Sequence, residues 1–329
     1  MKVAVYRSND DIRIEERPRP VAGAGEIVFR VRASGVCGSD VMEWYRVPKA
    51  PLVLGHEVAG EIVDVGDGIE DFGPGDRIVA THHVPCGSCH YCATGREPVC
   101  ETLRTTHFDP GGFSELVRLP AINVRLGTFR LPEGMSFDEG TFVEPLACVI
   151  RAQRVAGGVA GKTVAILGSG MSGLLHLMWA RARGASRVVC TDIHPYRLGA
   201  ARRAGADDVL DAHASLPKSD VVIVCTAAPA AMIQAFDAVD RGGVVLVFAL
   251  VPPGSAVQLP AFELWSRGVA IVPSYAGPPA DMRAAIEAIQ ARRVDVASLV
   301  THRLPLERTA EAFRLVAAAQ DSMKVLVVP

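Results

Sequence analysis

The sequence predicts an α/β protein of two domains, in which a β-rich domain precedes a doubly wound parallel sheet. The chain has 329 residues, more than a single hydrophobic core usually holds. Short β-branched runs separated by Gly, Pro and Asp dominate its first part. After Pro145, apolar strands alternate with segments of helical spacing, which is the pattern of βαβ units. These observations together favour the two-domain architecture.

The β-rich domain is predicted over residues 1–146 as a compact, partly open β-barrel. Turn-forming pairs such as Asp67-Gly68 separate its strands. The predicted strands occupy residues 3–6, 27–31, 58–65, 77–80 and 115–119.

The second domain is predicted over residues 147–272. Because strands alternate with helices here, we expect a parallel sheet that is covered on both faces. Strands are predicted at residues 163–167, 187–191, 209–210, 221–225 and 244–250, and helices at 172–183, 195–204 and 230–239. The segment 273–329 adds helices at 279–291 and 305–319 and a strand at 324–328.

Composition and charge argue against several classes of function. The formal net charge is −2, so no basic surplus is present to bind a nucleic-acid backbone. The first residues lack the apolar core of a signal peptide, and no run of about 18 apolar residues occurs, so we expect no membrane span. We therefore expect a cytoplasmic protein that acts on a small molecule.

A glycine-rich turn joins the first strand of the second domain to the helix after it. Its pattern is G-x-G-x-x-G, which suits a dinucleotide pyrophosphate at a helix N-terminus. The first glycine forms the tight turn, the second admits the pyrophosphate, and the third lets helix and strand pack closely. The predicted cofactor-binding residues of this turn are Gly168, Ser169, Gly170, Met171, Ser172 and Gly173.

An acidic residue favours NAD over NADP as the dinucleotide. Asp192 ends the second strand of this domain, about 20 residues after the glycine turn, where a carboxylate binds the adenosine ribose hydroxyls. A carboxylate there repels a 2′-phosphate. Arg197 follows on the next helix, where it is expected to lie over the adenine or ribose and to soften the exclusion of NADP.

Four of the eight cysteines form a compact cluster with the spacing C-x2-C-x2-C-x7-C. Four thiolates on one short loop suit a closed tetrahedral zinc site that stabilises the loop. An iron–sulfur cluster is a less favoured alternative, because the fourth spacing is wide and no Pro follows the last cysteine. Disulfides are less favoured because no secretion signal is evident. The predicted structural zinc ligands are Cys86, Cys89, Cys92 and Cys100.

A second, open metal site is predicted from three separate segments. Cys37 lies in GVCGSD, His56 and Glu57 lie in GHEVAG, and Glu144 lies in VEPLA. Together they offer sulfur, nitrogen and oxygen donors, enough for zinc with one position open to substrate or water.

These motifs, in this order, resemble the zinc-containing medium-chain alcohol dehydrogenases. The segments are GVCGSD, GHEVAGEIVDVG, the cysteine cluster, VEPLACVIRA and LGSGMSG with Asp192. The sorbitol and threonine dehydrogenase branch looks closest because of Glu144. The resemblance implies a GroES-like catalytic domain completed by residues 273–329, a Rossmann domain, and homodimers or homotetramers that pair through the Rossmann sheet edge.

The resemblance also implies roles for individual residues. Cys37 and His56 match catalytic zinc ligands, and Ser39 matches the hydroxyl that binds the substrate oxygen. Glu57 matches a residue that either ligates zinc or lies behind it. Glu144 matches one that either ligates the metal or holds its water. Leu250 and Ser274 complete the predicted cofactor-binding residues.

The proton route departs from that of the family. Many members have a histidine five residues after the zinc cysteine, where this chain has Met42. A thioether does not relay protons, so we expect Ser39 to pass its proton through water, the cofactor ribose or Glu144. His107 is a further candidate.

The function expected from these features is zinc-dependent hydride transfer between NAD and a secondary alcohol of a polyol or cyclitol. Threonine 3-dehydrogenase-like oxidation is one alternative, and a catalytically silent zinc- and dinucleotide-binding protein is another. Metal-free quinone or enoyl reductases are disfavoured because they lack the Cys37/His56 pair. Animal sorbitol dehydrogenases carry a sugar-binding arginine in the segment that corresponds to residues 273–275 of this chain. No such arginine is evident here. The candidate pocket residues are Glu43, Trp44, Tyr45, Phe108 and Tyr275.

Overall fold

The computed structural model describes residues 1–249 and 251–329 and divides the chain into two compact units. The first unit comprises Met1–Ala147, Ala276–Arg292 and Val296–Pro329. The second comprises Cys148–Tyr275 and Arg293–Asp295. The α/β class with a parallel sheet and a separate β-rich unit is confirmed. The assignment of catalysis to one unit and cofactor binding to the other stays a prediction.

The first unit contains two sheets. A three-stranded sheet has the order β2-β1-β4, and a seven-stranded one has the order β15-β16-β3-β5-β6-β8, with β7 also paired to β3. The strands are β1 Lys2–Ser8, β2 Asp11–Glu16, β3 Ile27–Gly35, β4 Leu52–Val53, β5 Glu57–Val65, β6 Arg77–Ala80, β7 Leu116–Leu119, β8 Thr128–Arg130, β15 Val300–Pro305 and β16 Lys324–Val328.

The antiparallel pairing of β3 with β5 positions the predicted catalytic residues. Ile27, Phe29 and Ile62 are buried in the hydrophobic core between these strands and their neighbours. The register places Gly35, the last residue of β3, opposite Glu57, the first residue of β5. The turn after β3 and the loop before β5 therefore lie at the same end of this strand pair.

The helices of the chain are mostly short in the first unit and longer around the parallel sheet. They are α1 Glu43–Arg46, α2 His90–Ala93, α3 Glu101–Thr105, α4 Ala121–Gly127, α5 Phe137–Gly140, α6 Val143–Val155, α7 Met171–Ala182, α8 Pro195–Arg203, α9 Pro229–Ala238, α10 Ala261–Arg267, α11 Pro279–Gln290 and α12 Thr309–Ala318. Among the described residues, none of these helices is long and apolar enough to cross a membrane.

The prediction of a helix over residues 305–319 is wrong for its first residues. Pro305 ends strand β15, a 3-10 turn covers Leu306–Arg308, and the α-helix begins only at Thr309. Proline removes a backbone donor, which a strand end at the edge of a sheet tolerates. The alternating exposure along β15 is typical of an edge strand.

The second unit contains a six-stranded sheet with the order β11-β10-β9-β12-β13-β14, in which every pairing is parallel. The strands are β9 Thr163–Leu167, β10 Arg187–Asp192, β11 Asp208–Asp211, β12 Ser219–Val224, β13 Val239–Val247 and β14 Ala270–Pro273. This is the doubly wound order, and its direction reverses between β9 and β12. Ligands of such sheets bind beyond the carboxyl ends of the strands at this reversal.

A buried histidine lies in the core of the second unit. The Gln153 amide donates to the carbonyl of His176 at 2.8 Å, and it lies 3.2 Å from Nδ1 of the same residue. The ring of Phe248 stands edge-on to the imidazole, with 4.6 Å between the ring centroids. Burial lowers the pKa of His176 from 6.5 to about 3, so this residue is neutral in the folded protein.

This histidine is expected to make the protein less stable in mild acid. The unfolded chain takes up a proton below pH 6.5 whereas the folded chain does not until about pH 3, so stability falls as the pH drops through this window. We expect His176→Leu to remove about 2 kcal/mol of the loss between pH 7.5 and pH 5. Urea unfolding at both pH values measures this. The exposed His213→Leu of the same unit is the control, and an equal acid slope in parent and His176→Leu would contradict the prediction.

Candidate active site and metal centres

Three residues of the first unit form the candidate catalytic metal centre. Cys37 lies two residues after β3, and His56 and Glu57 lie at the start of β5. Ligand atoms of these three residues lie within 4.8 Å of one another. A thiol, an imidazole and a carboxylate are ligands that zinc prefers, and three protein donors leave a fourth position open. The residues present therefore fit a catalytic zinc ion.

A buried ion pair holds Glu57. Its Oε2 accepts a short hydrogen bond from Nζ of Lys324, the first residue of β16, and both side chains are fully buried. A Cβ atom at Gly35 would collide with the carboxylate and with the end of the lysine chain, so glycine makes room for the pair. In the described part of the chain, Oε1 of Glu57 is buried without a hydrogen-bond partner. A bound metal ion would give this oxygen the partner that it lacks.

Asp40 orients the imidazole of His56. Its carboxylate is fully buried, lies 3.4 Å from His56 Nδ1, and accepts hydrogen bonds from the Cys37 amide at 3.1 Å and from Arg46 Nη2 at 3.3 Å. Burial alone would raise the pKa of Asp40, but His56, Arg46 and the Cys37 amide together lower it. A carboxylate on Nδ1 leaves Nε2 of the imidazole for a metal, as in many zinc sites.

Arg46 fixes the loop that carries Ser39. Its Nε donates to the Ser39 carbonyl at 2.9 Å, and its Nη2 donates to Ser39 Oγ at 3.2 Å. Because the hydroxyl oxygen already accepts from Arg46, the hydroxyl proton of Ser39 is available for another acceptor. This arrangement suits a hydroxyl that donates to a substrate oxygen.

A row of aromatic rings extends from His56. The ring of His82 lies 4.8 Å from that of His56 and 3.7 Å from that of His83, and Phe108 approaches His82 edge-on at 6.1 Å. Burial, followed by the charge of His56, lowers the pKa of His83 to about 3. Burial also lowers the pKa of His107, and Lys49 and Arg46 lower it further. The imidazoles of His83 and His107 are therefore neutral at physiological pH.

The remaining predicted residues of this region are not members of the Cys37, His56 and Glu57 donor group. Glu144 is buried near the start of α6 and is not among the donor atoms that lie within 4.8 Å of one another. Its role stays a prediction. Glu43 accepts from the Asn9 amide at 2.9 Å, and the rings of Trp44 and Tyr45 are 5.7 Å apart. Tyr275, in the second unit, is 39% exposed.

The four clustered cysteines form the second candidate metal centre. Their sulfur atoms lie within 4.8 Å of one another, and all four are free thiols. Backbone amides of Ser88 and Cys89 donate to Cys86 Sγ at 3.5 and 3.3 Å. These donors lower the pKa of the Cys86 thiol to about 6, which favours the thiolate form that binds metals. The geometry fits a closed tetrahedral zinc site.

The glycine turn of the second unit lies at the carboxyl end of β9, where the strand order reverses. Gly168 has φ +98°, a conformation that favours glycine. A Cβ atom at Gly173 would collide with the carbonyl of Gly168, so the third glycine is required for close packing. Helix α7 begins at Met171, directly after Gly170, with Ser172 in its first turn. The turn therefore presents a helix N-terminus where a pyrophosphate binds in related folds.

Asp192 is fixed beside this turn. Its carboxylate accepts from the Ser169 amide at 2.8 Å and from the His194 amide at 3.0 Å. Arg197 lies 3.7 Å from the same carboxylate, with 22% of its side chain exposed. Ser274 Oγ accepts from Arg151 at 2.9 Å. Leu250 lies outside the described residues.

Several residues of the site were missed by sequence reasoning. Asp40 stands inside the GVCGSD motif, so its position could have indicated a contact with the metal ligands. Arg46, His82 and His83 carry no motif. Lys324 opens an apolar strand, and only the pairing of that strand with β3 brings it to Glu57.

Comparison with known proteins gives consistent matches over the chain. The family described as "alcohol dehydrogenase GroES-like domain" matches residues 23–128, and the family described as "zinc-binding dehydrogenase" matches residues 173–291. The chain is 32% identical to sorbitol dehydrogenase of Gallus gallus over 336 residues, covering 95% of this chain and 92% of that one.

Solved structures match with the same overall fold. A zinc-binding dehydrogenase from Sinorhizobium meliloti 1021 bound to NADP has a TM-score of 0.90 at 28% identity, covering 100% of this chain and 99% of that one. Galactitol-1-phosphate dehydrogenase from Escherichia coli has a TM-score of 0.86 at 25% identity, covering 100% of both chains.

Proposed function

Because the chain belongs to the zinc-containing medium-chain alcohol dehydrogenases, in the sorbitol dehydrogenase-like branch, it is an oxidoreductase of alcohols or polyols, and we propose that it transfers hydride between NAD and a secondary alcohol of a small polar substrate. The observation that carries this proposal is the convergence of Cys37, His56 and Glu57 within 4.8 Å.

The catalytic zinc would be held by Cys37 and His56, with Glu57 or Glu144 as the third ligand. Bound zinc supplies a Lewis acid that lowers the pKa of an alcohol by several units. Asp40 orients His56, so that the imidazole presents Nε2 to the metal. Ser39 would hydrogen-bond the substrate oxygen and pass the alcohol proton on through its own hydroxyl to water, the cofactor ribose or Glu144, while Arg46 keeps Ser39 in place.

We propose NAD as the preferred dinucleotide. Asp192 is held by two backbone amides beside the glycine turn, where a carboxylate suits ribose hydroxyls and repels a 2′-phosphate. Arg197 partly offsets this charge at 3.7 Å. One related dehydrogenase was solved with NADP, so the preference requires a direct measurement.

A polyol or cyclitol is the substrate class that we propose. Relatives of the chain are named for sorbitol and for galactitol 1-phosphate, and both compounds carry several hydroxyl groups.

We also propose that Cys86, Cys89, Cys92 and Cys100 hold a structural zinc ion. The free cysteines suit a reducing compartment, which favours the cytoplasm.

A combined metal analysis and substrate screen tests the function. We expect about two zinc ions per chain and alcohol oxidation that a chelator abolishes. The screen covers polyols, cyclitols and threonine, read by NADH absorbance, and repeats each active substrate with NADP. The kcat/KM with NAD should exceed that with NADP by more than about tenfold. A preparation that binds zinc and NAD yet oxidises none of these alcohols would contradict the proposal.

We also propose that the enzyme is a homo-oligomer that pairs through the second unit. Strand β14 stands at one end of the parallel sheet, and two large apolar side chains of the preceding helix α10, Phe262 and Trp265, are 72% and 77% exposed. Exposed apolar groups beside an open sheet edge are typical of an interface between subunits.

Substitution of Trp265 tests this surface. We expect Trp265→Glu to weaken self-association at least about a hundredfold, because it buries a charge in the interface and removes a large aromatic contact. Light scattering coupled to size-exclusion chromatography gives the mass of the particles. Val21→Glu is the control, since Val21 is equally exposed, at 72%, in the first unit. An unchanged mass for Trp265→Glu, or the same loss for Val21→Glu, would count against this interface.

A further inference from the structure

Two positive side chains flank an aromatic ring in the first unit. The guanidinium of Arg46 lies 4.7 Å from the centre of the Tyr45 ring, and Nζ of Lys49 lies 3.5 Å from the same centre. Tyr45 and Arg46 belong to α1, and Lys49 ends the 3-10 turn that follows at once. Cation–π contacts therefore bind both positive groups to the same ring.

These charges lie beside the candidate catalytic centre. Arg46 contacts Ser39 Oγ at 3.2 Å, and its side chain is only 14% exposed. The positive charges of Lys49 and Arg46 also reach His107, whose pKa is lowered first by burial and then by both of them. The row of rings from His56 to His83 lies within the field of Arg46 and of Arg104 as well. Arg46 contacts Ser39 and shares the Tyr45 ring with Lys49, so both cations lie beside this centre. We call Tyr45, Arg46, Lys49 and His107 the cationic rim.

The acidic groups near the rim already have hydrogen-bond or ion-pair partners. Asp40 is fully buried and is used by His56 and the Cys37 amide as well as by Arg46. Glu57 is paired with Lys324, and Glu43 accepts from the Asn9 amide.

The cations keep unused donors. Within residues 1–249 and 251–329, Nη1 of Arg46 makes no hydrogen bond and Nζ of Lys49 has no carboxylate partner. A guanidinium held rigidly at a catalytic centre with a free edge, next to an ammonium group, is the arrangement that binds phosphate or carboxylate groups.

Resting on the proposed function, we propose that the substrate is an anionic hydroxy compound, in which a phosphate or carboxylate group binds Arg46 and Lys49 while the reacting hydroxyl lies at Ser39. Tyr45 places the two cations on one aromatic ring. The field of the rim also increases the rate of encounter with anions at low ionic strength.

Kinetics with matched substrates test this inference. Each pair consists of a neutral polyol and its anionic counterpart: sorbitol with sorbitol 6-phosphate, and erythritol with erythronate. We expect kcat/KM to favour the anionic member of at least one pair, and the pair identifies phosphate or carboxylate as the group that is bound. In Lys49→Met, the ratio of anionic to neutral kcat/KM should fall about tenfold.

The matched control is Lys2→Met, because Lys2 is an exposed lysine of the same unit that is paired with Glu307. This variant should keep the parental ratio. A parental enzyme that prefers the neutral member of both pairs, or a Lys49→Met variant with an unchanged ratio, would overturn the inference.

A binding measurement separates this inference from the proposed function. Isothermal titration of the zinc-loaded enzyme with inorganic phosphate should give an affinity that falls about tenfold in Lys49→Met and is unchanged in Lys2→Met. If no alcohol is oxidised but this difference is observed, the proposed function fails and the anion site stands. Equal phosphate affinity in the parent and in Lys49→Met contradicts the anion site, whatever the enzyme oxidises.

Discussion

Replacement of Cys37 by alanine is expected to lower kcat/KM by more than about a thousandfold while leaving the protein folded. The thiol is one of three donors at the open centre, and it lies on a turn outside the hydrophobic core. Loss of the Lewis acid removes the lowering of the alcohol pKa on which the reaction depends. Metal analysis should show the zinc content fall from about two to about one per chain.

Cys89→Ala gives the contrasting control. It should also remove one zinc ion, but from the closed cluster, where the metal stabilises a loop and does no chemistry. We expect a clear drop in Tm for Cys89→Ala and a change of only a few degrees for Cys37→Ala. Full activity of a Cys37→Ala protein that has lost a zinc ion would show that the chemistry lies elsewhere.

Replacement of Lys324 by methionine is expected to destabilise the first unit by about 3–5 kcal/mol, because it leaves the Glu57 carboxylate buried without its counterion. Urea unfolding measures the effect. The double variant Lys324→Met/Glu57→Gln should recover much of the loss, since it removes the buried charge as well.

An exposed ion pair of the same unit provides the comparison. Lys2→Met breaks the pair with Glu307, whose side chains are about half exposed, and should cost less than about 1 kcal/mol. If Lys324→Met lowers the free energy of unfolding by no more than Lys2→Met does, the prediction for the buried pair is wrong.

The features that sequence reasoning predicted are encoded locally. The glycine turn, its strand and its helix are continuous in the chain, and the spacing of Cys86 to Cys100 places four thiols on one loop. Pattern and spacing therefore suffice to predict the parallel sheet and the clustering of the four thiols, whereas the zinc ion at that cluster stays a prediction.

The features that were missed depend on contacts between distant segments or on competing local patterns. Lys324 and Glu57 are 267 residues apart, and their pairing depends on the register of β16 against β3. Residues 305–319 carry apolar groups at helical spacing, yet the first of them, Pro305, ends a strand that pairs with β16. Arg46 reaches Asp40 only because the chain turns back through a helix of one turn. None of these contacts corresponds to a short residue spacing that a sequence motif could reveal.

The ion pair of Glu57 with Lys324 also joins residues that leave the ribosome at very different times. A nascent chain that has reached the end of the segment Cys148–Tyr275 already contains Cys37, His56 and Glu57, but it lacks the lysine that neutralises the carboxylate. Most of the second unit is continuous in the chain, so it is able to fold during synthesis, whereas the first unit waits for β16. The three candidate metal ligands Cys37, His56 and Glu57 are therefore synthesised long before the lysine that pairs with Glu57.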